Sequence, residues 1–524
     1  MKSLNLNYKI FIPAAGLLLL FIIFGAVAPS QFAYVTSTVK TWMGTNFAWL
    51  ALGMAVVMTF LLGWAAFSKF GKTIIGGDDA KPEYKTFTWI AMVLCGNIGI
   101  AMMFYAVTEP ATFFSAAPAF WGVESGTDTA AEMAVAQAAF HWGGMTWVID
   151  VFGGFAAFFL CMNYGLPFRP STSLYPILKE KTFGWMGTTY DVIALIGIIG
   201  GIVTGFGFGV LQFSTGFSYN TGVAQSKLMY VIVIAVTVLV VALSSRRGFA
   251  KGLAWLSNFN AWLYLAIIIF LLVVGPTRRL LELFIGSAGQ FINNFIPMAF
   301  NGDFLGEGNG WNVDYTGFTW FWAFVYGPFT GMYLAKISKG RSIRSFLAAV
   351  LIVPTIFMLV WFCLWGGNAI NLIHFMNIDI MEVIGEWGTP VANFVVLEHL
   401  PIKWLMIPAI LVCILIGFIT LVDALSNIIA GMSSKSTDEN TETAPVVRIF
   451  WILIIAGCTC VCLFVMDEVG MAALQSLTVT LGVPLCIISI AVCGSIVNLI
   501  KGRTQEYLNT PEGMADINRA NREK

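Results

Sequence analysis

The chain has 524 residues, of which 58% are hydrophobic, 15% aromatic and 11% charged, less than half the roughly 25% charge of an ordinary soluble domain. With a mean hydropathy of +0.82 it reads as a membrane protein, with room for about a dozen helices of ~20 residues and none for a soluble module of about 50 residues or more. The 28 basic and 28 acidic residues cancel, so no global field points to nucleic acid.

Apolar runs predict twelve spans, near 10–29, 47–68, 87–109, 134–162, 190–216, 228–244, 254–275, 316–335, 345–367, 403–432, 447–466 and 478–500. The first starts with Lys2 and Lys9, yet its apolar stretch is too long for a signal peptide and no clean cleavage site follows, so we read it as a retained helix. If the N-terminus is cytoplasmic, only Lys40, Lys227, Arg278, Arg279 and Lys403 of the 28 basic residues fall outside. That bias places both termini in the cytoplasm. All nine cysteines lie in apolar runs. No disulfide framework is expected, and the C-x-C-x-C run Cys458–Cys462 has no histidine near it and reads as no metal site. No cofactor is expected either.

Segment 276–315 is too polar to cross, but residues 279–300 carry apolar positions at helical spacing, which predicts an amphipathic helix along the outer interface. Another mixed stretch at 368–402 predicts a helix outside the membrane. Around them the chain divides into an N-terminal tail with two peripheral helices (1–86), a five-helix block (87–275), a second five-helix block (316–500) and a tail (501–524). Five spans per block make the second enter from the opposite side, the topology of inverted repeats in alternating-access transporters.

The third span reads 93-VLCGNIGIAMMFYAVTEP-110, with Gly96, Gly99 and Ala101 interrupting the apolar run. Such residues lower the cost of unwinding beside a cavity, and serve equally in close helix packing. In the fourth span Trp147 and Asp150 share a face, with Trp142 two turns before Asp150. A carboxylate at membrane depth costs about 2.5 kcal/mol or more unless it faces a cavity or a partner, so Asp150 is a functional candidate. In the eighth span Trp320, Trp322 and Tyr326 line up, the last two one turn apart. Aromatic faces from both blocks, converging on one cavity, suit a quaternary ammonium, whose diffuse charge carries no N–H to satisfy.

The runs 103-MFYAVTEP-110, 140-FHWG-143 with Trp147, 207-GFGVLQ-212 and the eighth span ending in KISKGRSIR resemble the betaine/carnitine/choline transporter family over about residues 10–500. The resemblance implies an all-α membrane protein with a leucine-transporter-type core of two inverted five-helix repeats, often assembled as a homotrimer. It also implies a tryptophan cage at Trp142, Trp147 and Trp322, with Tyr326 where glycine-betaine carriers have tryptophan and carnitine exchangers tyrosine. Ala323 and Asp150 depart, standing where tryptophan and tyrosine are usual.

Sodium-coupled members carry G-M-G-I-G in the third span and a Thr-Ser pair in the tenth. Here these positions are Asn97-Ile98-Gly99-Ile100-Ala101 and Thr420-Leu421, so one hydroxyl ligand is missing. The same loss resembles the sodium-independent exchangers, although their arginine in the seventh span is replaced by Asn260. Asp423 matches a structural acidic position, and the tail lacks the long basic extension of osmosensing relatives.

The expectation is therefore a multi-pass transporter of the cytoplasmic membrane for a choline-, betaine- or carnitine-type substrate, driven by exchange or by a proton, with sodium-coupled betaine uptake as the alternative. An ion channel would need a symmetric filter, which the sequence lacks. An enzyme using His141 and Asp150 would have them ~13 Å apart along one helix, with no nucleophile beside them.

Overall fold

The computed structural model describes residues 6–97, 100–244, 249–308, 310–435, 444–465 and 470–522. The described chain is helical, with two isolated bridges in place of strands. The helices run α1 (Tyr8–Val27), α2 (Pro29–Phe67), α3 (Thr86–Asn97), α4 (Ile100–Phe104), α5 (Thr108–Ser115), α6 (Asp128–Ala139), α7 (Thr146–Tyr164), α8 (Tyr175–Leu178), α9 (Trp185–Thr221), α10 (Lys227–Ser244) and α11 (Phe249–Val274). They continue as α12 (Thr277–Ala299), α13 (Gly317–Lys336), α14 (Ile343–Met376), α15 (Ile380–Trp387), α16 (Ala392–Glu398), α17 (Lys403–Met432), α18 (Pro445–Val465), α19 (Gly470–Ile500), α20 (Arg503–Leu508) and α21 (Pro511–Arg522).

Among the described residues ten helical stretches are long and apolar enough to cross a membrane, against the twelve expected. The third expected span is broken into α3, α4 and α5, and the eighth is the aromatic-rich α13, too polar in its tryptophans and tyrosines to join the ten. Burial separates centre from rim: 83% of the most apolar stretch is covered in both Asp128–Tyr164 and Trp185–Thr221, against 28% in α1 and α10.

One expectation needs correction. The second span was expected at 47–68, but α2 begins at Pro29, with Ala28 alone between it and α1. Its 39 residues make about 58 Å of helix at 1.5 Å per residue, far more than a bilayer core needs. The mixed stretch at 368–402, where a helix was expected, holds the end of α14 followed by α15 and α16. Every residue from Ala392 to Leu397 in α16 is buried in the protein, with Phe394 seated on Gly216 of α9. The amphipathic helix over 279–300 is α12, which packs on α6 and α14 and leaves Leu281, Ile285, Ile292 and Ile296 exposed.

Two contacts fix the centre. Helices α7 and α13 meet through glycines: a Cβ on Gly153 would lie 2.6 Å from the Gly327 carbonyl carbon, and one on Gly154 2.6 Å from the Met332 nitrogen. Small residues let membrane helices approach until backbones touch, and dispersion then replaces the hydrophobic drive that lipid removes. The second contact explains KISKGRSIR. The loop after α13 pairs with the loop before α3 through Ile75 N–H to Arg341 O (2.9 Å), Gly340 N–H to Ile75 O (2.9 Å) and Ile343 N–H to Thr73 O (3.0 Å). The Arg341 guanidinium donates to Tyr84 O at 2.9 Å and lies 4.6 Å over the Trp89 ring, while Trp89 Nε1 donates to Ser338 Oγ at 2.8 Å.

Replacing Gly154 by Ala should separate α7 from α13 and cost about 1–3 kcal/mol, read as earlier thermal unfolding in detergent. Gly53→Ala, where nothing lies within 4 Å of the added carbon, should leave the melting curve in place.

Candidate functional site

The third span is unwound between α4 and α5, over residues 105–107. Carbonyls freed by such a break have no water to bind at membrane depth and must find protein donors. Here Trp361 Nε1 donates to Met102 O at 3.1 Å, Asn393 Nδ2 to Met103 O at 3.0 Å and Gln212 Nε2 to Met103 O at 3.3 Å. Donors from α14, α16 and α9 thus hold the break open and aim Tyr105 and Glu109 inward.

Two π turns face this break. One, Phe140–Met145, joins α6 to α7; the other, Asn312–Thr316, opens α13. A π turn adds a residue to the helical repeat, so the consecutive side chains of His141 and Trp142 both point into the interior. Trp142 stacks on Tyr105 (centroids 5.0 Å, 20°) and meets Trp322 edge-on (5.7 Å, 88°). Around Trp322 stand Phe208 of α9 (5.5 Å), Phe318 (5.6 Å) and Tyr326 (6.5 Å). Gly201 and Gly205 make room: a methyl on Gly201 would lie 3.0 Å from the Tyr326 ring, and one on Gly205 3.7 Å from that of Trp322.

Of the residues expected to bind substrate, Trp142, Trp322 and Tyr326 therefore share one cluster. Trp147 does not join its ring contacts and is packed, fully buried, in α7. Asp150 is 3% exposed and lies where α7 meets α13, with its Cα 3.8 Å from where a Cβ on Gly327 would stand. Trp320 is buried against Phe140, away from the cage, and Ala323 is buried beside Trp322.

The expected coupling residues are more scattered. Asn97 closes α3, Gly99 lies outside the described residues, and Ala101 is half-buried in α4, which packs on α17. Thr420 of α17 gives its hydroxyl to its own helix, at Ile416 O (2.9 Å) and Gly417 O (3.0 Å). Asp423 pairs with Arg448 and accepts from Ser244, tying α17 to α18 and α10. Asn260 is buried in α11.

The sequence reading missed Glu109 and weighed His141 only as a catalytic base. Both are buried under the cage. Trp142 Nε1 donates to Glu109 Oε1 at 2.9 Å, and Glu109 Oε2 lies 3.1 Å from His141 Nδ1. The rule that singled out Asp150, a carboxylate in an apolar run, applies equally to Glu109.

A family model described as betaine/carnitine/choline family transporter matches residues 9–505. The chain belongs to that family. A probable glycine betaine transporter of Desulfitobacterium hafniense is 31% identical over 94% of this chain and 97% of its own length. A glycine betaine transporter of Acinetobacter baylyi is 30% identical over 95% of this chain and 74% of its own. A high-affinity choline transport protein of Escherichia coli is also 30% identical, over 95% and 72%. The protein is a multi-pass membrane transporter and not an enzyme.

Each cluster ring that faces a bound cation contributes roughly 0.5–2 kcal/mol, or about 2- to 30-fold in affinity. Trp142→Ala and Trp322→Ala should each weaken ligand binding to the purified transporter within that range. Trp147→Phe, outside the ring cluster, should change it less than either.

Proposed function

We propose that this transporter moves a quaternary ammonium compound of the choline, betaine or carnitine type by alternating access, without sodium. The observation that carries the reading is the cluster of Trp142, Trp322, Tyr105, Phe208 and Tyr326, drawn from helices on both sides of the chain's midpoint and backed by a carboxylate. Such a surface offers π-faces and negative potential but few hydrogen bonds, which is what a methylated ammonium can use.

In this reading 87–275 and 316–500 are inverted repeats, α3 to α5 and α13 are their discontinuous or aromatic first helices, and twelve spans leave both termini in the cytoplasm. The transporter assembles as a homotrimer. Trp142 and Trp322 touch edge-on, so a trimethylammonium group enters only when the two side chains part. The glycine contact between α7 and α13 supports their moving as one rigid body during the cycle.

Sodium independence is supported by chemistry at the tenth span. Sodium wants several oxygens, whereas Thr420 spends its hydroxyl within its own helix and Leu421 presents methyl groups toward Gly205. Exchange, or a proton carried on a buried acid such as Asp150, then drives the cycle.

Purified protein should bind radiolabelled choline, glycine betaine, carnitine or γ-butyrobetaine, and reconstituted protein should accumulate the bound compound by counterflow at the same rate with sodium or potassium outside. Stimulation by sodium at fixed membrane potential would overturn the coupling reading. Failure to bind any of the four would overturn the substrate class. Choline binding that weakens in Asp150→Asn would place an ionised carboxylate beside the cage, whereas unchanged binding would make Asp150 neutral or structural.

A further inference from the structure

The buried pair beneath Trp142 has a geometry that plain helix packing does not require. Glu109 is 2% exposed and His141 is fully buried. The carboxylate uses one oxygen for Trp142 Nε1–H (2.9 Å) and the other for His141 Nδ1 (3.1 Å). His141 Nε2 lies 3.0 Å from both Gln137 Nε2 and Thr316 Oγ1. With the Gln137 amide nitrogen as donor, Nε2 accepts, and the imidazole is neutral. Gln137 Oε1 is meanwhile buried with no hydrogen-bond partner. Turning that amide over would bring its oxygen to Nε2 and accommodate a second ring proton, and the Thr316 hydroxyl, which also accepts from Trp311 Nε1 at 3.2 Å, can accept as readily as donate. The surroundings therefore accommodate two protonation states with small rotations, and leave one acceptor unused in the state seen.

The groups facing the pair do not fix its charge. Tyr105, after α4, and Tyr315, in the π turn before α13, are phenols and uncharged through the neutral range. Asp314 of the same turn lies 3.9 Å from Lys40 of α2, which also donates to Gln475 of α19 at 2.9 Å. From α14, His374 packs on Phe114, on the far side of α5. Asp150 lies in α7 beside Gly327 of α13, the residue after Tyr326.

We propose that Glu109 and His141 form a proton-linked specificity element that acts through Trp142. With His141 neutral, the carboxylate leaves one net negative charge behind the Trp142 wall, which strengthens binding of a cation over a zwitterion whose own carboxylate it repels. With His141 protonated, the pair is neutral and the preference falls. Both are positioning residues, since neither borders the ammonium directly. The inference rests on the quaternary ammonium reading and deepens it, by tying substrate charge to a proton at a named site.

The test is equilibrium binding of radiolabelled choline and glycine betaine to the purified full-length transporter, at about pH 5.5 and about pH 8, the range in which an imidazole changes charge and neither ligand does. In the wild type the ratio of choline to betaine affinity should rise about tenfold across this range, as expected for one charge acting through a ring's width of protein. Glu109→Gln keeps an acceptor for Trp142 but no charge, and at about pH 8, with His141 neutral, should bring the ratio down to the wild type's acidic value. His141→Gln keeps a neutral donor for Glu109 and should hold it at its alkaline value. A wild-type ratio that does not move with pH, or variants that change both affinities by the same factor, would overturn the proposal while leaving the substrate class intact. If the wild type bound neither ligand, the substrate class would fail as well.

Discussion

A backbone carbonyl that leaves a helix inside a membrane must be given a donor by the protein, and much of this structure is arranged around two such carbonyls. Where the third span unwinds, Met102 O takes a donor from Trp361, and Met103 O, which keeps a long turn bond from Ala106 N–H (3.4 Å), gains donors from Asn393 and Gln212. Those three side chains come from α14, α16 and α9. The break thus costs little only when four separate parts of the chain are assembled. It also accounts for the burial of α16, which delivers Asn393 to the break.

The break sets direction. Tyr105 and Glu109 stay on one face, with Glu109 N–H donating to Tyr105 O at 3.3 Å, and they meet the π turn that presents His141 and Trp142 together. The second π turn supplies Thr316 to the same imidazole. Glycines complete the site by subtraction: Gly153 and Gly154 bring α7 against α13, and Gly201 and Gly205 give space to Tyr326 and Trp322. The outcome is an aromatic wall whose polar atoms are turned away from the centre. Trp142 gives its N–H to Glu109 and Trp322 directs its own toward Gly201 O at 3.4 Å.

Much of this was legible in the residues. Long apolar runs identified most of the helices, because a bilayer admits few other backbones. The pairing of Trp142 with Trp322 and Tyr326 followed from two aromatic stripes in two halves. Less legible was anything set by departures from ideal helix geometry. A period of 3.6 residues places Trp147 and Asp150 on one face and cannot foresee the π turn that ends at Met145, which turns Trp142 to Tyr105 and Trp322. The same regularity hid the partnership of Glu109 and His141, 32 residues apart and joined only by the break. KISKGRSIR marked the family, but its physical role, a latch between the loops before α3 and after α13, depends on a backbone pairing with Thr73 and Ile75 that no local pattern announces.

The proposed role of the aromatic cluster is to read positive charge, not merely apolar shape. It is tested most directly by comparing choline with its uncharged isostere 3,3-dimethylbutanol, in which carbon replaces the quaternary nitrogen. Direct calorimetric titration of the purified transporter should give binding for choline and at least about tenfold weaker binding for the isostere, since cation–π attraction from several rings is lost while the buried area is kept. Equal affinities would contradict the account and make the cluster a hydrophobic pocket.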